Sequence, residues 1–188
     1  RLNNEFNTGT ETIAIPPTLL ISAMSVIEDF RRAVTMDLKS PKGLLYVVGP
    51  TRCELGGSHY YGLRELTGRS VPRVDLELAP RIMRSVAAAI EEGLVCSCHD
   101  CSEGGLAVAA AEMAFAGDVG ARIRLEAVPF EDAIEVRRDD VLLFSESASR
   151  FIIEVDAEKV GAFEAAMSGV PCARIGECTD EQVLEIRG

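Results

Sequence analysis

The chain has 188 residues, of which 47% are apolar and 26% are charged, as is usual for a globular domain. Its net charge of −11 argues against duplex nucleic acid or an anionic membrane as a partner, because both attract basic surfaces. No apolar run reaches the ~18 residues of a transmembrane helix, and no signal peptide is visible. We therefore expect a globular protein with no nucleic-acid partner and no membrane partner.

The predicted elements are strands interleaved with helices. Short apolar runs next to prolines or glycines predict buried strands, and apolar residues at helical spacing predict helices. A final hairpin is expected around Thr179-Asp180. This order predicts an α+β, or α/β layered, domain in which helices cover a mixed sheet. The predicted strands are 18–27, 44–48, 95–99, 121–125, 151–155, 173–176 and 183–186, and the predicted helices are 78–94, 105–116, 139–144 and 157–167.

Six cysteines, three of them within six residues, give no ordinary disulfide framework. Without an export signal they favour reduced thiols and a cytoplasmic protein. Cys98 and Cys101 have the spacing of a zinc-binding pair, but Cys172 and Cys178 do not form a second pair of that kind. We predict buried free thiols and no zinc. The six are Cys53, Cys96, Cys98, Cys101, Cys172 and Cys178.

The segment 99–105 (HDCSEGG) carries the most chemistry, because it leaves a predicted strand and enters a predicted helix. The first backbone N–H groups of a helix lack intrahelical partners and favour an anion. Gly104 and Gly105 would let a phosphate approach, Asp100 offers a hard oxygen for Mg²⁺, and Ser102 could donate to a phosphate. An ordinary helix capped by Ser102 or Asp100 explains the segment equally well.

Two further loops are candidates for ligand contact. The Gly-rich turn 54–58 lacks the lysine of a Walker A loop. It is either a tight turn that starts a helix at Ser58, a second anion-binding turn or a loop that contacts another domain. The loop 144–150 contains Ser145, Glu146, Ser147 and Arg150, which could grip a phosphorylated ligand. Its alternative is a solvated loop with local hydroxyl–backbone bonds. The neighbouring His59 has no evident acid or base partner in the sequence, and we predict that it lies on the surface of a helix.

Five motifs, taken together and in this order, closely resemble the phosphoribosylformylglycinamidine synthase family. The resemblance covers residues 2 to about 177. It corresponds to the C-terminal domain of the second of two tandem halves, each similar to aminoimidazole ribonucleotide (AIR) synthetase and partly ferredoxin-like. The motifs are LNNE (2–5), IPPTLLISA (15–23), ELGGS (54–58), HDCSEGGLAVAAAEMAFAG (99–117) and LFSES (143–147).

The resemblance implies a glutamine-dependent carbon–nitrogen ligase of purine biosynthesis. In that family ATP activates the amide oxygen of formylglycinamide ribonucleotide, and ammonia derived from glutamine replaces it. The second half holds ATP or ADP with Mg²⁺ as a structural element. By resemblance, Asp100 is the metal ligand, Ser102, Gly104 and Gly105 contact the nucleotide, and the loop 145–147 matches a substrate-binding position of the catalytic half. The implied partners are that catalytic half and a glutaminase domain or subunit.

The same resemblance predicts the domain organisation. Residues 1–27 are expected to be a remnant of a preceding AIR-synthetase-like N-terminal domain with its linker, and residues 28–188 the C-terminal domain. Because the catalytic histidine of the family belongs to that preceding domain, we expect no catalytic residue and no activity in this chain alone. The alternatives are another ATP user of the superfamily (selenophosphate synthetase, thiamin-monophosphate kinase or the hydrogenase-maturation dehydratase) or a purely structural docking domain.

Overall fold

The computed structural model describes residues 5–15, 21–131 and 137–188. The chain divides into two units, Arg1–Phe30 and Arg31–Gly188. In the first unit, strands β1 (Glu5–Asn7) and β2 (Thr12–Ala14) pair as an antiparallel hairpin that the sequence did not predict. The turn is held by its own polar groups, since the Thr8 N–H donates to the Glu11 carbonyl over 2.9 Å.

The motifs at the start of the chain are described only in part. Residues 2–4 of LNNE and residues 16–20 of IPPTLLISA lie outside the described residues. The predicted strand 18–27 therefore falls partly outside them as well. Its described part, residues 21–27, forms no regular element and is exposed, so the strand prediction is wrong there.

The second unit contains six strands and five α-helices within its described residues, and most of the predicted elements are confirmed. Gly93, with φ of +68°, follows the end of α2, as the sequence suggested. The strands are β3 (Leu44–Val48), β4 (Ser97–Asp100), β5 (Gly120–Arg124), β6 (Phe151–Val155), β7 (Cys172–Thr179) and β8 (Leu184–Arg187). The helices are α1 (His59–Gly62), α2 (Leu78–Glu91), α3 (Gly105–Gly117), α4 (Asp139–Phe144) and α5 (Val160–Ala166), with 3-10 turns at Leu125–Ala127 and Ala157–Lys159. A further 3-10 turn, Phe30–Arg32, begins at the last residue of the first unit.

The six strands form one mixed sheet in the order β4-β6-β3-β7-β5-β8. All neighbours are antiparallel except β5 and β8, which are parallel. The predicted hairpin of the last two strands is wrong, because β3 and β5 already occupy the two edges of β7. Strand β8 instead pairs with the outer edge of β5, where Ile123 lies opposite Ile186.

Helices cover both faces of this sheet, as the predicted fold class requires. On β3, Leu45 and Val47 point to one face, while Tyr46 and Val48 point to the other, as the two-residue period of a strand dictates. We call the first face, covered by α3 and α4, the α3 side, and the second, covered by α2 and α5, the α2 side. Within the described part of the chain, no helix combines the length and apolar character needed to cross a membrane.

The two covering helices differ in character. Helix α2 is amphipathic, and its Ile82, Val86 and Ala89 are buried against the sheet at the spacing of one helical face. Helix α3 is rich in alanine and apolar around much of its circumference, with Leu106 and Met113 almost inaccessible to solvent. The start of α3 faces the loops that carry the polar motifs.

Candidate functional site

The three motif segments meet at the start of α3, although they lie far apart in the sequence. The loop 144–150 is fastened to the chain that follows β3 by two hydroxyl groups. The Ser147 Oγ accepts a hydrogen bond from the Arg52 N–H (3.0 Å), and the Ser145 Oγ accepts one from the Glu54 N–H (3.3 Å). Both serines are fully buried. The loop is therefore not a solvated one, and these hydroxyl–backbone bonds are long-range.

Arg150 is buried at the same junction and bonds to both of its segments. Its side chain is 1% exposed, and its Nη1 donates to the Thr51 Oγ1 over 2.6 Å while its Nη2 donates to the Ser145 carbonyl. Burial lowers the pKa of the guanidinium, and the nearby Cys101 and Glu54 oppose that effect. The hypothesis that Arg150 grips a ligand at the surface is thus wrong, because the charge is enclosed by the domain.

Glu54 is the acidic counterpart of Arg150 at this junction. Its side chain is also buried, and its Oε1 accepts from the Arg73 N–H over 3.0 Å. Among the described residues, the Glu54 Oε2 and the Arg150 Nε have no hydrogen-bond partner. The junction therefore contains a buried positive and a buried negative group, whose mutual attraction offsets part of the cost of their burial.

Glu146 connects two helix starts. One oxygen, Oε1, accepts from the Gly104 N–H (2.9 Å) at the beginning of α3 and from the His59 N–H (3.0 Å) at the beginning of α1. The side chain is 16% exposed, in contrast to the fully buried serines on either side of it. Sequence reasoning named Glu146 as a ligand-gripping residue and did not foresee these contacts, since no local spacing links residue 146 to residues 59 and 104.

The two glycines at the start of α3 are required by packing and backbone conformation. Gly104 and Gly105 have φ angles of +78° and +64°, in the left-handed region. A Cβ at residue 105 would lie 2.5 Å from the Ser145 carbonyl oxygen, and one at residue 104 would lie 2.3 Å from the Val108 side chain. The predicted role in phosphate contact is not tested by this finding, but the glycines have a structural reason to be there.

Asp100 and Ser102 lie exposed beside this helix start. Asp100 ends β4 with a side chain that is 62% exposed, and its Oδ1 is 3.3 Å from the His99 Nδ1. The N-cap residue of α3 is Gly104, which has no side chain of its own to cap the helix and whose N–H donates to Glu146. The simple alternative, in which Ser102 or Asp100 caps the helix, is therefore not what the domain adopts. A hydroxyl and a carboxylate face solvent where the sequence predicted contact with a metal–nucleotide complex.

The donor set fits a phosphate-bound metal ion better than a metal held by protein side chains alone. Among the described residues, no group of three or more His, Cys, Asp or Glu side chains is placed to hold a metal. Mg²⁺ in nucleotide sites is often bound through one or two carboxylates, with phosphate oxygens and water as the other ligands. The single exposed carboxylate of Asp100 suits that arrangement.

The two histidines flank the site and both have acidic neighbours. The His59 Nδ1 is 3.5 Å from the Glu146 Oε1, and its Nε2 is 4.0 Å from the Glu103 Oε2. The sequence alone showed no acidic partner for His59, and its predicted place on a helix surface is confirmed. The His99 Nε2 lies 2.9 Å from the Glu112 Oε2 on α3.

The Ser58 Oγ accepts from the Tyr61 N–H (3.2 Å), which confirms that a helix starts at Ser58.

Cys96, Cys98, Cys101, Cys172 and Cys178 are free thiols. Cys101 and Cys178 are buried, as predicted, whereas the other three are only partly buried. Burial raises the pKa of Cys96 to about 11 and that of Cys98 to about 12. At neutral pH these groups are therefore protonated, and the thiol, unlike the thiolate, is a poor nucleophile and a poor metal ligand.

Comparison with known proteins identifies the domain. Residues 43–188 match the family described as AIR synthase related protein, C-terminal domain. The chain is 34% identical over 192 residues to the phosphoribosylformylglycinamidine synthase subunit PurL of Alkaliphilus metalliredigens, covering 99% of this chain and 25% of that protein. It is 40% identical over 185 residues to the PurL subunit of Caldanaerobacter subterraneus, covering 93% of this chain and 23% of that protein. The chain thus spans about a quarter of the length of these relatives.

Solved structures show the same fold. The PurL of T. maritima complexed with FGAR matches with a TM-score of 0.74 and 20% identity, over 84% of this chain and 27% of that chain. The E. coli HypE matches with a TM-score of 0.60 and 20% identity, over 82% of this chain and 49% of that chain. The family match covers most of the second unit, and its fold agrees with the mixed sheet described above. The chain belongs to the AIR synthase related proteins, through their C-terminal domain.

Proposed function

We propose that this chain is the nucleotide-holding C-terminal domain of a phosphoribosylformylglycinamidine synthase. The intact protein would use ATP to convert formylglycinamide ribonucleotide into its amidine, with glutamine as the source of ammonia. The relatives named PurL, which match almost the whole of this chain, support this assignment. T. maritima PurL structures complexed with FGAR, ATP and ADP share the fold.

The observation that carries the local proposal is the pair of exposed polar side chains, Asp100 and Ser102, beside the start of α3. The N-cap residue, Gly104, has no side chain of its own to cap the helix, and Asp100 and Ser102 face solvent next to it. When bound, a Mg²⁺–nucleotide would supply polyphosphate charge and a hard cation at this place. Asp100 would hold the cation, Ser102 would donate to a phosphate oxygen, and the segment 104–105 would lie against the phosphate.

In this proposal the loop 144–150 has a structural role and does not bind the nucleotide. Ser145 and Ser147 use their hydroxyls to fasten the loop within the domain. They resemble a substrate-binding position in sequence, but as buried groups they are not accessible to a substrate. We assign no catalytic residue to this chain. The catalytic half of the same polypeptide and a glutaminase are the proposed partners, and a T. maritima PurLQS structure shares the fold.

The test is a thermal melt of the intact protein with and without MgADP, comparing wild type with Asp100→Ala. At roughly 100 times the dissociation constant, a ligand bound only by the folded state adds about 2.7 kcal/mol. We expect that gain in wild type and a much smaller one in Asp100→Ala. Asp180→Ala, at an exposed position beyond β7, is the matched control and should behave as wild type. Equal gains in all three proteins would contradict the metal-ligand role of Asp100.

A second test concerns catalysis. The 188-residue chain, supplied with formylglycinamide ribonucleotide, ATP, Mg²⁺ and ammonia, should turn over no ATP above the blank, because none of its residues is assigned to the chemistry. Product formation by this chain would overturn the assignment of the reacting site to the rest of the polypeptide.

The alternative candidate is another ATP-using member of the same superfamily. The match to E. coli HypE favours it to the extent that the fold is shared. The level of sequence identity favours the synthase, since the PurL relatives reach 34% and 40% over almost the whole chain while HypE is 20% identical. Assaying the intact protein for amidine formation separates the two candidates.

A further inference from the structure

We propose that Glu146 is a positioning residue that couples the start of α3 to the segment containing α1. The two segments share one acceptor, a carboxylate oxygen of Glu146. This oxygen accepts from the Gly104 N–H at 2.9 Å and from the His59 N–H at 3.0 Å. The link to a nucleotide rests on the proposed function. The coupling itself does not.

The carboxylate is held in place by its neighbours in the sequence. Ser145 and Ser147, on either side of Glu146, are fully buried and bonded to the backbone of Glu54 and Arg52. The backbone of the loop also packs against the start of α3, where a Cβ at residue 105 would meet the Ser145 carbonyl oxygen. Glu146 is therefore aimed by a fixed backbone and has little freedom to swing away.

The charge of Glu146 suits this position. A carboxylate at a helix start forms charge-assisted hydrogen bonds that are stronger than those between neutral groups. Gly104 is the N-cap of α3 and has no side chain with which to satisfy nearby donors. The acceptor comes instead from a residue 42 positions further along the chain. Loss of Glu146 leaves two backbone donors, in two different segments, without their shared acceptor.

A ligand that orders residues 102–105 should consequently also order the start of α1. Coupling of this kind is reciprocal, so whatever fixes α1 in the intact protein should strengthen binding at the start of α3. A residue that served only the stability of its own loop would not transmit this effect. The distinguishing observation is protection from hydrogen exchange at His59 that depends on both the ligand and Glu146.

The experiment is hydrogen exchange with mass spectrometry on the intact protein, following peptides that contain Gly104 and His59. In Glu146→Ala both peptides should exchange about tenfold faster, since each loses a bond to a charged acceptor. Glu146→Gln keeps an acceptor oxygen and loses the charge, so it should be intermediate. Glu103→Ala, which removes an 82% exposed carboxylate near His59, is the control and should match wild type in the Gly104 peptide.

Two added compounds, formate and MgADP, test the coupling further. Formate, a small carboxylate, should restore protection of both peptides in Glu146→Ala, while chloride at the same ionic strength should not. MgADP should protect the His59 peptide in wild type and fail to do so in Glu146→Ala.

The proposal is overturned if only one of the two peptides changes in Glu146→Ala, or if formate restores neither. Should Glu146→Ala fail to fold, Glu146→Gln decides, and wild-type exchange of both peptides in that variant overturns the proposal. If wild type binds no MgADP, the proposed function fails, while the peptide comparison without ligand still decides whether Glu146 couples the two segments.

Discussion

The two long helices of the domain begin in different ways. At the start of α2, the Asp75 Oδ1 accepts from the N–H groups of Glu77 (2.9 Å) and Leu78 (2.8 Å), so the acceptor comes from two to three residues away. At the start of α3, the acceptor for Gly104 is Glu146, from a different loop. A local acceptor organises its own helix and little else. A remote acceptor also fixes the loop that supplies it.

The contrast extends to the two sides of the sheet. The α2 side is mainly a packing surface, in which Tyr46 meets Phe163 edge to face with ring centroids 5.0 Å apart. The α3 side carries an apolar core as well, but its edge holds the buried charges of Glu54 and Arg150 and the buried serines of the loop 144–150. Substitutions on the α2 side should therefore change stability alone. Substitutions on the α3 side should change both stability and ligand binding.

The largest effect is expected from Phe163→Ala on the α2 side. Phe163 is fully buried, and removal of such a ring leaves a cavity that costs about 3–5 kcal/mol. Urea unfolding of the 188-residue chain should show this loss. In the intact protein, the affinity for MgADP of the molecules that remain folded should be unchanged. A weakened affinity at full folding would show that the two sides are not independent.

A smaller effect is expected from Gly105→Ala on the α3 side. Its φ of +64° costs a side chain about 1–2 kcal/mol, and the close approach to the Ser145 and Leu143 carbonyl oxygens adds about 1–3 kcal/mol of overpacking. Gly57→Ala is the matched control, because residue 57 has φ of +73° and open space around its Cβ position.

The comparison of these two variants isolates the packing of α3 against the loop. Urea unfolding should show a larger loss of stability for Gly105→Ala than for Gly57→Ala. MgADP binding by the intact protein should weaken in Gly105→Ala and stay near that of wild type in Gly57→Ala. Equal stability losses would mean that only the backbone conformation matters at residue 105.

The sequence predicts those parts of the fold that depend on local patterns. Helix α2 follows from the four-residue spacing of Ile82 and Val86, and strand β3 from the apolar run 44–48. The place of β8 could not be predicted in this way. The turn residues 179–180 favour a hairpin, but the pairing is decided by β3 and β5, which occupy both edges of β7.

The candidate site shows the same limit. The strand-to-helix junction at 99–105 and the loop 144–150 are visible as polar segments next to apolar ones, and the structure brings them together. Which polar groups face inward is not visible, because that depends on long-range packing. Arg150 and Ser145 have the composition of a ligand-binding loop, yet both are enclosed by the domain.

The smallest effect concerns the local acceptor of α2. The N–H groups of Leu78 and Glu77 hold the pKa of Asp75 below its ordinary value of 3.8. A carboxyl group with a lowered pKa in the folded state stabilises the fold above its unfolded-state pKa, and this contribution is lost as the pH falls through the folded-state value. Asp75→Asn keeps an acceptor oxygen and removes the charge. Its urea midpoint at pH 7 should therefore lie slightly below that of wild type, by less than for Gly57→Ala.

The pH dependence of that difference is the measurement that decides the role of Asp75. The difference between wild type and Asp75→Asn should be constant from pH 7 to about pH 5 and should shrink towards zero below about pH 4, as wild-type Asp75 takes up its proton. Other carboxyl groups titrate in the same range, so only the difference between the two proteins is informative. A difference that stays constant down to pH 3 would show that the charge of Asp75 does not stabilise the start of α2. The hydrogen exchange of the Gly104 peptide in the intact protein should not respond to this substitution, because α3 takes its acceptor from Glu146.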